Sequence, residues 1–254
     1  MKIVYHPLML QSYDSTPAGA LGRLESAVEI LKAHTEYEFI QPEPAKEQQI
    51  LRAHSKSLIH GVERDKRLAQ MAYLAAGGAI LAGEIAMKGE PCFALIRPPG
   101  HHASQDSHWG FCYFNNIAVS LLELRARGLI DSAFILDFDL HDGDGNINIL
   151  GHDKKFQIYN PDDNKDKQYL ADVKKHLDDA RDADIIVASA GFDQYENDWG
   201  GNLSTQAFHE IGRMMYEFAK ERCAGRRYAL LEGGYNFKDL GKNILAFCEG
   251  FRGI

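Results

Sequence analysis

The chain has 254 residues, with 28 Lys and Arg against 36 Asp and Glu and a formal net charge of −8 at pH 7. That excess of acid argues against a surface that coats nucleic acid, and 45% hydrophobic with 25% charged residues is a globular rather than a disordered composition. No run reaches the roughly 18 consecutive apolar residues of a membrane span. The start MKIVYHPLML lacks the apolar core and cleavage site of a secretory signal, so a cytoplasmic protein with no nucleic-acid or membrane partner is expected. Cysteines 92, 112, 223 and 248 form no CxxC pair, which reads as reduced thiols and leaves His and carboxylates to build any metal site.

From the N-terminus, Lys2–Tyr5 reads as a strand, Leu21–His34 as a helix with Leu24, Val28 and Leu31 on one face, and Tyr37–Ile40 as a second strand. The Ala- and Leu-rich helix Leu68–Met87 leads to strand Cys92–Arg97, helix Ile117–Arg127 and strands Ser132–Asp137 and Lys155–Tyr159. Helix Lys167–Asp179, strand Asp184–Ser189, helix Thr205–Glu221, strand Arg227–Glu232 and helix Leu240–Phe251 complete the series. Such alternation predicts an α/β fold, one domain over residues 1–254, with a mostly parallel central sheet and helices on both faces. The polar stretch Asn160–Gln168 reads as a solvated loop rather than a domain boundary.

In an open parallel sheet ligands bind beyond the carboxyl ends of the strands. Four strands end in chemistry: Pro98-Pro99-Gly100-His101-His102, Phe138-Asp139-Leu140-His141-Asp142-Gly143-Asp144-Gly145, Ala190-Gly191-Phe192-Asp193 and Gly233-Gly234-Tyr235-Asn236. Asp139 and His141 share one side of an extended segment, because side chains alternate with period two. Asp193 from a neighbouring strand end would complete a carboxylate–imidazole–carboxylate set that leaves a coordination position open. Adjacent imidazoles at 101 and 102 need partners if buried, and Asp137 and Asp144 are at hand to accept their ring N–H groups. The Tyr235 phenol, hung from a glycine turn, is placed to donate to an oxyanion. Phe111, Tyr113, Phe114 and Phe192 are candidates for the wall of an apolar pocket.

The segments Arg97-Pro98-Pro99-Gly100-His101-His102-Ala103, Gly110-Phe111-Cys112-Tyr113-Phe114-Asn115-Asn116, Asp137-Phe138-Asp139-Leu140-His141, Ser189-Ala190-Gly191-Phe192-Asp193 and Leu231-Glu232-Gly233-Gly234-Tyr235-Asn236, with His54-Ser55, resemble the zinc-dependent histone deacetylase family of the arginase/deacetylase fold. The likeness runs through most of the chain and leans toward the class II-like and bacterial acetylpolyamine amidohydrolase branch. It implies Asp139, His141 and Asp193 as ligands of one Zn2+ per chain, with Fe2+ the alternative ion. It implies His102 as general base and acid paired with Asp144, His101 as its electrostatic partner paired with Asp137, and Tyr235 as the residue that stabilises the transition state. The implied pocket is formed by Gly110, Phe111, Phe192, Gly233 and Gly234, and the implied substrate is a small acylated amine or an acyl-lysine.

Three departures from the resemblance shape further expectations. Asp142 stands where the family usually has a second His, adding negative charge that favours cationic amines. Tyr159 takes the position of a Ser ligand in the family's monovalent-cation site, which leaves K+ open. The segments between His60 and Leu68 and between Tyr159 and Asp184 are short for the family, which implies a shallow, open entrance.

A binuclear manganese hydrolase of the same fold needs Asp-x-His-x-Asp and a later Asp-x-Asp; the chain has Asp139-Leu140-His141-Asp142-Gly143 and Asp193-Gln194-Tyr195 instead. A non-catalytic acyl-amine binder is the other alternative, weighed against a complete set of ligands, base and tyrosine. His108 and Trp109 read as loop packing in preference to entrance residues. His6, His34, His60, His152, His176 and His209 have no motif around them and read as surface or packing residues. The oligomeric state is left open.

Overall fold

Seven parallel strands form one sheet in the computed structural model, which describes residues 1–162 and 164–254. They are β1 (Lys2–Val4), β2 (Glu38–Ile40), β3 (Cys92–Ala94), β4 (Ala133–Asp137), β5 (Phe156–Tyr159), β6 (Ile185–Ala190) and β7 (Arg227–Leu231), in the order β2-β1-β3-β7-β6-β4-β5. Every strand of β3, β4, β6 and β7 is buried along its length, as strands covered on both faces must be. All seven expected strands are present, with ends shifted or trimmed by a few residues.

The helices are α1 (Glu25–Lys32), α2 (Glu47–Ile50), α3 (Lys56–Val62), α4 (Lys66–Met87), α5 (Asn116–Ala126), α6 (Asp144–Leu150), α7 (Asp166–Asp179), α8 (Thr205–Arg222) and α9 (Phe237–Arg252). On one face α4 and α5 pack together, and Ser120 of α5 meets the Tyr228 hydroxyl of β7 at 3.0 Å. On the other, α8 and α9 pack on each other with α1 and α7 alongside, and Phe93 of β3 and Phe134 of β4 meet Phe247 and Phe218 of those helices. By length and composition α4 could cross a membrane, a property that a count of consecutive apolar residues misses. Here it is a core helix, mostly buried against β1, β3, β7 and α5.

Part of the expected polar loop is helical, since α7 begins at Asp166; its residue 163 lies outside the described residues. Three short helices were not expected: α2, α3 and α6. The last begins at Asp144, whose carboxylate suits the positive end of a helix dipole.

Candidate functional site

The sheet order makes β3, β7, β6 and β4 consecutive neighbours, so the four strand ends that carry the polar motifs open onto one place. Beyond β4, Asp139 is buried and His141 lies over it, with its Nδ1 3.3 Å from Asp139 Oδ1 and 3.7 Å from Asp193 Oδ2. The ligand-competent atoms of Asp139, His141 and Asp193 all lie within 4.8 Å of one another. Asp139 Oδ2 accepts the Gly233 N–H at 2.8 Å, and Asp193 Oδ1 accepts the Leu140 N–H at 3.1 Å. Gly233 allows that approach, because a Cβ there would stand 2.3 Å from Asp193 Oδ2.

These residues fit a cation. Asp193 Oδ2 is buried, and among the described residues it accepts no hydrogen bond. Burial and the neighbouring charge of Asp139 push the Asp193 carboxyl up to about 7. Burial pushes Asp139 up too, but the charge of His101 and hydrogen bonds from His141 and Gly233 outweigh it and hold this carboxyl low. The hydrogen bond to Asp139 and the nearby Asp193 carboxylate raise His141 to about 10, so the imidazole keeps a proton that a bound cation would displace. A second group of donor atoms, on His101, Cys112 and Glu232, is also buried. Its His101 is engaged by Asp137, and Glu232 Oε2 accepts the N–H groups of Gly100 and His101.

The tandem histidines form two unlike pairs. His101 Nδ1 is 3.2 Å from Asp137 Oδ2, in full burial, and Asn146 Nδ2 donates to the same carboxylate at 2.9 Å. Burial lowers the His101 imidazole, but the charges of Asp139 and Asp137 outweigh it and hold the ring well above its ordinary value. His102 Nδ1 is 2.7 Å from Asp144 Oδ1; burial, with the charge of His101 added, lowers this imidazole to about 4. The two rings are 4.0 Å apart.

Tyr235 reaches the cleft from the turn after β7. Its ring stacks on Trp199, and burial pushes its phenol well above the ordinary range. The cleft, a cavity of about 160 Å³, is lined by His101, His102, Asp139 and His141 together with Trp109, Phe111, Trp199 and Tyr235. Gly110 and Gly233 line it as well.

Phe192, expected in the pocket wall, lies outside the lining: it is 1% exposed and packs on Phe138, Phe208 and Phe247. Adjacent side chains of an extended segment point to opposite sides, so with Asp193 in the site Phe192 faces the core. Gly234 also turns away, with a φ of 118° and a direction for Cβ that meets Leu240 and Phe192. Phe114 packs against Tyr73 and His54, and the Tyr113 hydroxyl donates to Asp14 Oδ2 at 3.0 Å. Tyr159 stacks on His176 at 3.6 Å, and Asp142 is exposed next to His141.

Both tryptophans of the chain, each 53% exposed, stand at the mouth. Trp109 is thus an entrance residue rather than loop packing, and Trp199 was not singled out from the sequence. Arg23 was missed too. Fully buried, it donates to the Gly234 and Glu232 carbonyls and holds its guanidinium 5.2 Å from the centre of the Tyr235 ring. A signal existed in the unusual burial demanded of an Arg inside an apolar segment, but its partner lies 211 residues away.

A family model described as the histone deacetylase domain matches residues 19–161 and 150–251. A probable deacetylase of Methanothermobacter thermautotrophicus is 29% identical over 222 residues, covering 72% of this chain and 65% of that protein. Histone deacetylase 5 of Arabidopsis thaliana is 33% identical, covering 70% of this chain and 33% of its own length. Polyamine deacetylase HDAC10 of Danio rerio is 28% identical, covering 85% and 38%. The matches thus span from a third to just under two thirds of these relatives. In fold, the structure is similar to the crystal structure of the HDA15 HD domain, with a TM-score of 0.87 and 22% identity over 99% of this chain and 89% of that one.

Proposed function

Because the chain belongs to the histone deacetylase family, we propose that it is a zinc-dependent amidohydrolase that removes an acetyl or other short acyl group from an acyl-lysine or acylpolyamine. The observation that carries this reading is the meeting of Asp139, His141 and Asp193, with a buried carboxylate oxygen that accepts no hydrogen bond among the described residues, and a His102–Asp144 pair at one cleft. One carboxylate–imidazole–carboxylate set suits a single Zn2+, with Fe2+ the alternative. When bound, the ion supplies Lewis-acid polarisation of the acyl carbonyl and acidifies the attacking water.

The chain's own residues do the rest. His102, held through Nδ1 by Asp144, presents Nε2 as the base that takes the water's proton and returns it to the departing amine. Burial, with the charge of His101 added, keeps His102 neutral and ready to accept that proton. Tyr235, whose phenol stays protonated, donates a hydrogen bond to the acyl oxygen as it gains charge. Trp199 and Phe111 exclude water from the acyl chain. The exposed carboxylates Asp142 and Asp144 and the net charge of −8 favour cationic amines, in keeping with a relative named a polyamine deacetylase.

The test is a hydrolysis panel of acetyl-lysine peptides, acetylpolyamines and longer acyl-lysines, run on the zinc-loaded chain and on Tyr235→Phe. Turnover of at least one class, lost in parallel by the variant, is the expected result. No turnover of any of them overturns the reading.

A further inference from the structure

We propose that Trp109 is a positioning residue for the His102–Asp144 pair, a role that rests on the amidohydrolase reading. The two His–Asp pairs of the site solve the same problem in different surroundings. Asp137 is buried, and one of its oxygens is pinned by the Asn146 amide while it faces His101. Asp144 has a side chain that is 50% exposed, and a carboxylate in that position is free to rotate and to take up water in place of imidazole. Its second oxygen, Oδ2, accepts the indole Nε1–H of Trp109 at 2.8 Å, while Oδ1 faces His102 at 2.7 Å. Trp109 therefore does for the exposed pair what Asn146 does for the buried one.

The same indole covers the imidazole. The rings of Trp109 and His102 stack at 3.8 Å and 30°, so the His102 side chain is 4% exposed although its carboxylate partner is half exposed. One ring thus acts on both members of the pair: it orients the carboxylate by hydrogen bonding and limits imidazole rotation by contact.

The backbone is shaped to deliver it. Gly110 and Phe111 follow Trp109 with φ of 59° and 66°. A Cβ on Gly110 would lie 2.4 Å from His102 Cδ2, so the turn presses against the same imidazole. A left-handed Phe is strained and persists where its surroundings hold it, as they do in a cleft wall.

The experiment compares Trp109→Phe, which keeps a ring over His102 and loses the N–H donor, with Trp109→Leu, Asp144→Asn and the double variant Trp109→Phe/Asp144→Asn. Outer partners of this kind are worth about 10- to 100-fold in activity. Trp109→Phe is expected to lower kcat about tenfold with KM changed less than about twofold, and Trp109→Leu to lower it further. The double variant should match Asp144→Asn, because the donor acts through that carboxylate. Losses that multiply, or a Trp109→Phe enzyme with wild-type kcat, overturn the proposal.

A second readout does not depend on turnover. Two tryptophans give two indole N–H signals in a proton–nitrogen correlation spectrum, and Asp144→Asn should shift the Trp109 signal while leaving that of Trp199 in place. An unmoved Trp109 signal overturns the hydrogen bond on which the role depends. A moved signal in a chain that hydrolyses nothing would keep the contact and reject the amidohydrolase reading instead.

Discussion

The ring of Trp199 lies against that of Tyr235, 4.0 Å between centroids and 26° between planes, while Asp198 beside it accepts the backbone N–H groups of both Tyr235 and Asn236 at 2.6 Å. Two consecutive residues of one loop thus hold both the ring and the backbone of the phenol that follows β7. Trp199→Ala should release the ring and lower kcat about tenfold, and Tyr235→Phe, which removes the donor itself, should lower it about 10²- to 10³-fold with little change in KM. Steady-state kinetics on the best substrate of the panel, with melting temperatures as a control for folding, checks the order of the two losses.

Asp139 and Asp193 face each other in burial, so a cation and the fold support one another. One equivalent of Zn2+ per chain is expected by elemental analysis, and chelation should lower the melting temperature. At a hundredfold excess over its Kd a ligand adds about 2.7 kcal/mol. Asp193→Asn should abolish stoichiometric binding yet leave the metal-free protein more stable than metal-free wild type at neutral pH, because it removes a buried like charge. A metal-free variant that melts below metal-free wild type would contradict this.

His54 predicts an acid limb in stability that is independent of the metal ligands. Its Nδ1 donates to the Ser104 carbonyl at 2.9 Å and its Nε2 accepts the N–H of Asn115, the residue that caps α5. Burial lowers the imidazole to about 4. A depressed folded value means that its contribution is complete above the ordinary value of 6.5 and is lost as pH falls toward 4, at no more than about 1.4 kcal/mol per pH unit. Protonation would also set a donor against the Asn115 N–H. His54→Asn should melt lower than wild type at pH 7.5 and lose less between pH 6.5 and 4.5; circular dichroism melts at both ends measure the difference.

Asp142 is exposed beside His141, so its charge would be felt by a substrate through space. Asp142→Asn should reduce kcat/KM for acylpolyamines about two- to threefold at low ionic strength and leave neutral anilides unchanged, with the difference fading above about 0.3 M salt. Equal effects on both substrate types at every salt concentration would remove charge as the reason.

The sheet and the polar strand ends were legible because buried parallel strands are apolar runs that stop at glycines and prolines, and because Asp139 and His141 share a side by simple alternation. The helices α2, α3 and α6 were not, since elements this short complete too few turns to show a period. The same alternation, applied one residue further, would have sent Phe192 to the core once Asp193 was assigned to the site. Trp199 and Arg23 carry no local pattern at all: each acquires its role by meeting Tyr235 across a large separation in sequence.

The place of β7 between β3 and β6 has a consequence for synthesis of the chain. Of the seven strands β7 is the last in chain order, and until it inserts, the edges of β3 and β6 have no neighbour on that side and Tyr235 and the Gly233 amide are missing from the cleft. The cleft is therefore complete only when the sheet is, and a nascent chain carries the acidic and imidazole groups of its first three motifs without a finished place to use them.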